Sequence, residues 1–218
     1  MKRILCYGDS NTWGFMPKTA CLENWNMRFD ENTRWTGRLQ NMLGSGYKVL
    51  EEGLNGRTSA FDDPQDDNRN GVKYINTCML TNMPVDLAII MLGTNDIKSF
   101  FPFTPYVVAN GVGRIVDEIR KADYGVGGKI PEVLVVAPIN IDEHAANGWL
   151  EGEFGMDSVE KNARLAPYLK KMAENRGVHF FNIGAYVTAD PADGIHMNEE
   201  GHKIMAEKMF AEVKAIIG

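Results

Sequence analysis

Residues 86–96 read Asp-Leu-Ala-Ile-Ile-Met-Leu-Gly-Thr-Asn-Asp, and this stretch decides the fold class. Its first part, Asp86–Leu92, predicts a β-strand because it is a short apolar run bounded by Asp and Gly. The run is continuously apolar and does not alternate, which is typical of a strand covered on both faces of a parallel sheet. A second run of this kind, Val-Leu-Val-Val-Ala, predicts a strand over Glu132–Ala137. Together they favour a parallel sheet with helices on both sides.

Three further strands and five helices complete the predicted architecture. The strands are Arg3–Tyr7, Tyr47–Glu51 and Val178–Ile183. Helical spacing of apolar residues predicts helices over Arg34–Leu43, Val72–Thr81, Pro105–Lys121, Ser158–Asn175 and Glu199–Ile217. Strands alternating with helices indicate an α/β fold, a three-layer α/β/α sandwich with a five-stranded parallel sheet. Two long loops remain, Phe15–Thr33 and Pro138–Asp157.

Composition restricts the class of protein. The 218 residues suit a single domain spanning residues 1–218. The net charge of -6 argues against nucleic acid or an anionic membrane as the partner. No apolar stretch reaches the roughly 18 residues that a spanning helix needs, and the N-terminus predicts a strand and not a signal peptide. Cys6, Cys21 and Cys78 lack a C-x-x-C spacing, so we expect buried thiols in a cytoplasmic protein without a disulfide or zinc site.

Four short motifs each follow a predicted strand. They are Gly8-Asp9-Ser10, Asn55-Gly56, Gly93-Thr94-Asn95-Asp96 and Asp193-Gly194-Ile195-His196. In an open parallel sheet, ligands bind beyond the carboxyl ends of the strands. The four motifs are therefore expected to meet at one edge of the sheet.

The first and last motifs contain the parts of a nucleophile and its base. A serine hydroxyl such as that of Ser10 is a poor nucleophile until a base accepts its proton. Asp193 and His196 are three residues apart, which puts both side chains on one side of a single turn, so the carboxylate can orient the imidazole. Taken alone, Ser10 could cap a turn, Asp193 could cap another and His196 could lie on the surface.

The middle motifs offer hydrogen-bond donors for a developing oxyanion. Asn95 carries a side-chain amide, and Gly56 and Ser10 offer backbone N–H groups. Asn95 and Gly56 could alternatively serve only to shape turns. Taken together, the motifs predict acyl transfer through a serine ester.

The four motifs resemble the four blocks of the SGNH, or GDSL-type, hydrolase superfamily. Longer stretches, among them Glu-Glu-Gly-Leu-Asn-Gly-Arg-Thr, are similar to its bacterial arylesterase branch, whose members also transfer acyl groups to alcohols or peroxide. The resemblance implies Ser10 as nucleophile, His196 as base and Asp193 as its orienter. It implies an oxyanion hole of Ser10, Gly56 and Asn95. It also implies a flavodoxin-like strand order 2-1-3-4-5, a small-molecule ester as substrate and a homo-oligomer.

Two positions depart from the branch. Asn11 stands where Leu is common, and Gly56 stands where some arylesterases have Ala. Both departures concern the shape of the acyl pocket and leave the catalytic atoms in place. We interpret Asp9 and Asp96 as acceptors for loop N–H groups.

Aromatic residues near the motifs could form the walls of the acyl pocket. Trp13, Trp149 and Phe154 are candidate wall residues. For Trp13, core packing is the competing role. The loop carrying Trp149 and Phe154 could instead form a subunit contact.

A metal-dependent hydrolase is one alternative to a serine esterase. His196 and His202 are six residues apart, which does not place both on one helical face, so we expect no metal site. The mechanism needs no cofactor, and activity should survive a chelator.

Hydrolysis of short-chain or aryl esters, with acyl transfer to alcohols, is the favoured function. A carbohydrate O-deacetylase is the runner-up, and a non-catalytic SGNH-like domain that binds a sugar or a partner is the alternative of another class.

Overall fold

Five strands form one parallel sheet. A computed structural model of the protein describes residues 1–18 and 27–218. The strands are β1 Lys2–Gly8, β2 Tyr47–Gly53, β3 Leu87–Met91, β4 Glu132–Ala137 and β5 His179–Asn182. They are parallel and lie in the order 2-1-3-4-5. The predicted fold class and strand order are confirmed, and β1 lies between β2 and β3.

Helices cover both faces of the sheet. They are α1 Ser10–Trp13, α2 Trp35–Leu43, α3 Gly71–Asn82, α4 Pro105–Arg120, α5 Glu143–Asn147, α6 Met156–Ala163, α7 Leu165–Arg176 and α8 Glu199–Ile217. The apolar faces of α2 and α8 pack on one side of the sheet, against side chains such as Ile4 and Ile89. Helices α3, α4 and α7 pack on the other side, against Leu5 and Ile90. Alternate residues of each strand thus enter two separate cores, which explains the continuous apolar runs.

The prediction of one helix over Ser158–Asn175 was wrong. Two helices, α6 and α7, meet at Arg164, whose φ of -100° and ψ of -2° interrupt the helical path. Pro167 gives the reason. Proline lacks an N–H and clashes with the carbonyl four residues earlier in a helix interior, but it is tolerated in the first turn. Starting α7 at Leu165 places Pro167 in that first turn.

Two short helices were not predicted, α1 and α5. Each is too short for an apolar period to be read from the sequence. Each follows an aspartate that caps it: Asp9 accepts from the N–H of Asn11, and Asp142 accepts from that of His144. The N-cap residue was the available signal.

The thiols of Cys6 and Cys78 are buried, as expected, and both are free. Burial raises the pKa of Cys6 well above its ordinary value, and the charge of Glu51 adds to this. Cys21 and part of the loop Phe15–Thr33 lie outside the described residues. Within residues 1–18 and 27–218, no helix is both long and apolar enough to cross a membrane. In the same ranges, no three His, Cys, Asp or Glu side chains are grouped as a metal site.

Candidate active site

Ser10 stands directly beyond the central strand β1. Asp9 caps the short helix α1 by accepting the N–H of Asn11 at 3.0 Å, and Ser10 is the first helical residue. Gly8 allows a close approach here, because a Cβ on it would lie 2.9 Å from the carbonyl oxygen of Met91. The chain therefore turns sharply at the end of β1, and the Ser10 side chain lies at the carboxyl edge of the sheet.

The histidine and aspartate of the last motif form a hydrogen-bonded chain with this serine. His196 Nε2 lies 2.9 Å from Ser10 Oγ, and His196 Nδ1 lies 2.8 Å from Asp193 Oδ2. Gly194 between them has a φ of 68°, a left-handed conformation that favours glycine. The predicted residues Ser10, Asp193 and His196 thus come together, 186 positions apart at their extremes.

The carboxylate of Asp193 is buried and receives several donors. Its Oδ1 accepts from the N–H groups of Ile195 and His196 at 3.1 and 2.9 Å, and its Oδ2 also accepts from the Lys18 N–H at 3.3 Å. Burial acts to raise the pKa of Asp193, but the hydrogen bonds and charge of His196 and the backbone donors outweigh it. The net pKa is lowered, so Asp193 is ionised at neutral pH and suits a protonated imidazole.

Asn11 fixes the segment that carries His196. Its Oδ1 accepts from the N–H of Met197 at 2.9 Å, and its Nδ2 donates to the carbonyl of Ile195 at 3.1 Å. The side chain is buried, 2% exposed, and turns toward this segment. Asn11 is absent from the residues that line the active-site pocket. The departure at Asn11, expected to alter the acyl pocket, instead bridges α1 and the histidine segment.

The two predicted oxyanion donors, Gly56 and Asn95, follow β2 and β3, the strands on either side of β1. Gly56 has a φ of 75°, and the turn around it is closed by the N–H of Arg57 donating to the carbonyl of Leu54 at 3.1 Å. Asn95 Nδ2 donates to the Arg57 carbonyl at 3.2 Å. Both residues line the same pocket as Ser10. The predicted set Ser10, Gly56 and Asn95 is therefore assembled at one edge.

Arg57 was missed by the sequence analysis and connects three strand ends. Its side chain is buried and donates to the carbonyls of Gly8 at 2.9 Å and of Glu52. Its guanidinium lies 4.1 Å from the ring centroid of Tyr7, a cation–π contact. The sequence gives an arginine after Gly56, but no pattern shows that it points inward.

Asp9 and Asp96 are buried beneath the site and accept loop N–H groups, in agreement with their interpretation as scaffolding. Asp96 accepts the N–H of Ser59 at 2.9 and 3.0 Å through its two oxygens, and the Ser59 hydroxyl also donates to it. Burial raises the pKa of Asp96 to about 7 against the opposing effect of these bonds, and the charge of Asp9 adds to the rise. Burial likewise raises the pKa of Asp9 to about 6.

A pocket of about 490 Å³ opens above Ser10 and His196. Its apolar wall is formed by Phe15, Trp149, Leu150, Phe154 and Ile195. Trp149 and Phe154 thus lie where the sequence analysis placed them. Trp13 does not line this pocket: it contacts Phe15 and lies under the guanidinium of Arg28, with its backbone against Gly53. The short helix turns Trp13 away, and Phe15 takes the position beside His196, 4.5 Å between ring centroids.

Four charged residues in the pocket wall were not predicted. They are Asp66, Arg69, Lys98 and Glu153. Lys98 is buried, and its Nζ lies 3.1 Å from Asp63 Oδ2 and 2.9 Å from Glu153 Oε2. These two ion pairs join the loop 62–70 to the loop that carries Trp149 and Phe154. No sequence spacing signals them, because their members lie far apart in the chain.

A serine that is hydrogen-bonded to a histidine, which is itself hydrogen-bonded to a buried carboxylate, is the arrangement found in serine-dependent acyl hydrolases. These three residues lie at the carboxyl edge of the parallel sheet of an α/β/α sandwich, which fits the same class of protein. The chain belongs to the GDSL-like lipase/acylhydrolase family, whose model matches residues 6–204. The predicted resemblance to the SGNH hydrolase superfamily is confirmed, and the family supports a carboxylic ester hydrolase.

Solved structures and a curated relative agree with the family. An aryl esterase of M. smegmatis is 37% identical, with a TM-score of 0.93 and 100% of both chains covered. A carbohydrate acetylesterase from Sinorhizobium meliloti is 38% identical, with a TM-score of 0.90 and 100% of both chains covered. An acetylxylan esterase of Xylanibacter ruminicola is 23% identical over 231 residues, covering 97% of this chain and 43% of the relative. The chain therefore spans less than half the length of that curated relative.

Proposed function

We propose that the protein is a serine esterase that hydrolyses short-chain or aryl carboxylic esters through an acyl-serine intermediate. The observation that carries the proposal is the hydrogen-bonded chain from Ser10 Oγ through His196 to Asp193, at 2.9 and 2.8 Å. These lengths lie within the range for a nucleophile and its base. The family and the similar esterases support the same reaction class.

In the first half of the reaction, Ser10 Oγ attacks the ester carbonyl carbon while its proton passes to His196 Nε2. The ionised Asp193 stabilises the imidazolium that results. Negative charge develops on the former carbonyl oxygen, and Ser10 N–H, Gly56 N–H and Asn95 Nδ2 are the proposed donors to it. Collapse of the tetrahedral intermediate breaks the carbon–oxygen bond, and the leaving alkoxide takes the proton from His196.

In the second half, His196 accepts a proton from water as the water oxygen attacks the acyl-serine. The same donors stabilise the second oxyanion, and Ser10 Oγ leaves with the proton. An alcohol in place of water would give acyl transfer. The apolar side chains of Trp149, Leu150 and Phe154 support this additional activity, because they favour an organic acceptor next to the acyl group.

Removal of O-acetyl groups from carbohydrates is the second candidate. Four charged side chains line the same pocket, Asp66, Arg69, Lys98 and Glu153, and such groups suit a hydroxylated leaving group. The names of the Sinorhizobium meliloti and Xylanibacter ruminicola relatives agree with this candidate. A non-catalytic domain that binds a sugar or partner is disfavoured, because binding alone requires no hydrogen bond between Ser10 and His196.

We propose one domain over residues 1–218, a homo-oligomer and a cytoplasmic location. The buried free thiols of Cys6 and Cys78 support a reducing compartment. Light scattering of the purified protein tests the oligomer, since a monomer mass would refute it.

The deciding experiment compares wild type, Ser10→Ala and Ser45→Ala on p-nitrophenyl esters from acetate to decanoate. Ser45 is exposed, so its variant is the matched control. Ser10→Ala should lose activity by at least about 10³-fold, since loss of a nucleophile of this kind is severe. Ser45→Ala should keep it. Equal rates for wild type and Ser10→Ala across the series would refute the esterase and favour the binding domain.

Three further measurements test the size of the pocket and the other activities. The acyl-chain profile should favour short chains, because the pocket of about 490 Å³ is modest. Acetylated xylosides test deacetylation in the same comparison. Acyl transfer is measured as the ratio of new ester to free acid in mixed alcohol and water. A ratio equal to uncatalysed solvolysis would refute the transferase activity.

A further inference from the structure

The side chain of Lys18 contacts two aromatic rings of the pocket wall. Its ammonium nitrogen, Nζ, lies 4.7 Å from the ring centroid of Trp149 and 5.3 Å from that of Phe15. Both rings line the catalytic pocket, whereas Lys18 is buried, 6% exposed, and is not among the described residues that line it. One cation therefore contacts two wall residues without forming part of the pocket surface itself.

The two rings come from distant parts of the chain. Phe15 follows the short helix α1, and its N–H donates to the carbonyl of Ser10 at 3.0 Å. Trp149 lies in the loop between α5 and α6. A cation is attracted to the face of an aromatic ring, and the attraction grows when the pair is removed from water. The buried ammonium of Lys18 thus links the end of α1 to the loop that carries Trp149.

The backbone of Lys18 is tied to the catalytic residues. Its N–H donates to Asp193 Oδ2 at 3.3 Å, and the same oxygen lies 2.8 Å from His196 Nδ1. The ring of Phe15 packs against the His196 imidazole, with 4.5 Å between the ring centroids. Lys18 therefore joins the catalytic histidine and its carboxylate to the aromatic wall, through its backbone on one side and its side chain on the other.

The wall beside His196 lies on the leaving-group side of the substrate. In the proposed reaction the leaving oxygen takes its proton from His196 Nε2, so that oxygen has to come within hydrogen-bonding reach of this atom. Phe15 packs against the same imidazole, and Trp149 continues the wall. The alcohol part of the ester is therefore the part that comes next to these two rings.

We propose that Lys18 is a positioning residue for the leaving group. By holding Phe15 and Trp149 together, it maintains the apolar surface against which an aromatic alcohol part of the ester packs. The inference rests on the proposed function and deepens it, because it assigns the preference for esters of aromatic alcohols to one cation outside the pocket. Lys18 acts through the two rings and does not contact the substrate.

The test compares benzyl acetate with methyl acetate, which share the acyl group and differ in the size of the alcohol. The measured quantity is the ratio of their kcat/KM values, which cancels any loss of activity common to both. Wild type should prefer benzyl acetate. Lys18→Met should lower this preference roughly fivefold, because methionine keeps an apolar chain of similar length and loses the cation. Lys18→Arg should keep most of it, since a guanidinium also binds over ring faces.

Lys208→Met is the matched control. Lys208 Nζ lies 4.1 Å from the ring centroid of Tyr186, and neither of these two residues lines the catalytic pocket. The control therefore removes a cation from an aromatic ring elsewhere in the protein, and its ratio should equal that of wild type. Unfolding midpoints of all variants show that each ratio belongs to folded protein.

A double-mutant cycle with Trp149→Leu tests the route of the effect. This substitution removes one of the two rings, so adding Lys18→Met should lower the ratio less than it does in wild type. An equal fall in both backgrounds would overturn the inference, as would an unchanged ratio in Lys18→Met or a loss in Lys18→Arg as large as in Lys18→Met. Each of these results leaves the esterase intact. Wild type no faster than Ser10→Ala on either acetate would overturn the proposed function and this inference with it.

Discussion

The side-chain amide of Asn95 donates to the backbone carbonyl of Arg57 over 3.2 Å. Arg57 directly follows Gly56, so the Asn95 amide, one proposed oxyanion donor, is hydrogen-bonded to the turn that carries the other, which follows a different strand. An amide nitrogen carries two hydrogens, and this bond uses one of them. The bond therefore orients the Asn95 amide and leaves its second hydrogen available for substrate.

Arg57→Met should lower kcat roughly 10- to 100-fold with a small change in KM. The substitution removes the hydrogen bonds to Gly8 and Glu52, so the Gly56 turn and the Asn95 amide lose their common support. Loss of a full oxyanion donor costs about 10²–10³ in kcat, and a displaced donor should cost somewhat less. Steady-state kinetics on p-nitrophenyl acetate measure the effect.

An inhibitor that mimics the tetrahedral intermediate distinguishes a positioning role of Arg57 from a purely structural role. Binding of a boronic acid should weaken in proportion to the loss of kcat/KM. Arg120→Met, at an exposed position, serves as control and should change neither quantity. Unaltered boronic acid affinity in Arg57→Met would contradict the role assigned here.

Asn11→Leu should destabilise the protein by about 1–3 kcal/mol and lower kcat. Leucine leaves the buried Met197 N–H and Ile195 carbonyl without partners, and buried unpaired groups cost this much. Asn11→Asp retains an acceptor for Met197 and should recover part of kcat. Urea unfolding and kinetics check both variants. If Asn11→Leu matched wild type in kcat, the side chain would not position His196.

The free energy of unfolding should fall as pH rises from about 5 to about 8, and ionisation of Asp96 is one cause. Its pKa is raised to about 7 in the native state, against about 3.9 for an unfolded aspartate. The native state therefore binds more protons than the unfolded state in this window, and stability declines as Asp96 ionises. Asp9, with a pKa of about 6, acts in the same direction.

Asp96→Asn isolates this contribution, because the amide keeps an oxygen for Ser59 and does not titrate. The decline in unfolding free energy between pH 5 and pH 8 should shrink by on the order of 2 kcal/mol relative to wild type. Urea titrations at both pH values measure it. An equal or steeper decline in the variant would show that Asp96 is ionised throughout the window.

Lys98→Met should cost roughly 3 kcal/mol or more of stability. It leaves the carboxylate of Asp63, whose side chain is 0% exposed, without its cation, and breaking a buried pair is expensive. Adding Asp63→Asn should recover much of the loss. Lys73→Met is the matched control, because the Lys73–Asp62 pair is exposed and should contribute below about 1 kcal/mol. Similar losses for both lysines in urea unfolding would contradict this assignment.

The fold and the meeting of the motif residues at one sheet edge could be predicted because each depends on local sequence. Strands such as Leu87–Met91 are marked by apolar runs that are bounded by residues such as Asp and Gly. The motif residues follow strand ends, and a parallel sheet brings those ends to one edge whatever the loops do. Pro167 is also a local signal, because it marks the break between α6 and α7.

The pocket wall could not be predicted because it depends on contacts between loops. Lys98 and Asp63 are 35 positions apart, and nothing in either segment marks the other as its partner. One turn of helix takes Trp13 out of the pocket where it was expected, and Phe15 lies beside His196 instead. Arg69 beside Gly56 depends on the conformation of the whole segment 56–70. Roles assigned to Ser10, Asp193, His196, Gly56 and Asn95 stay predictions until their variants are measured.

The 186 positions between Ser10 and His196 have a consequence for synthesis on the ribosome. A nascent chain that has emerged as far as β4 already contains the serine, yet it has no imidazole to receive the proton. Ester cleavage should therefore begin only after the segment following β5 has docked onto α1. Catalytic turnover is then a direct indicator of completed folding, and a protein arrested partway through translation should be chemically silent.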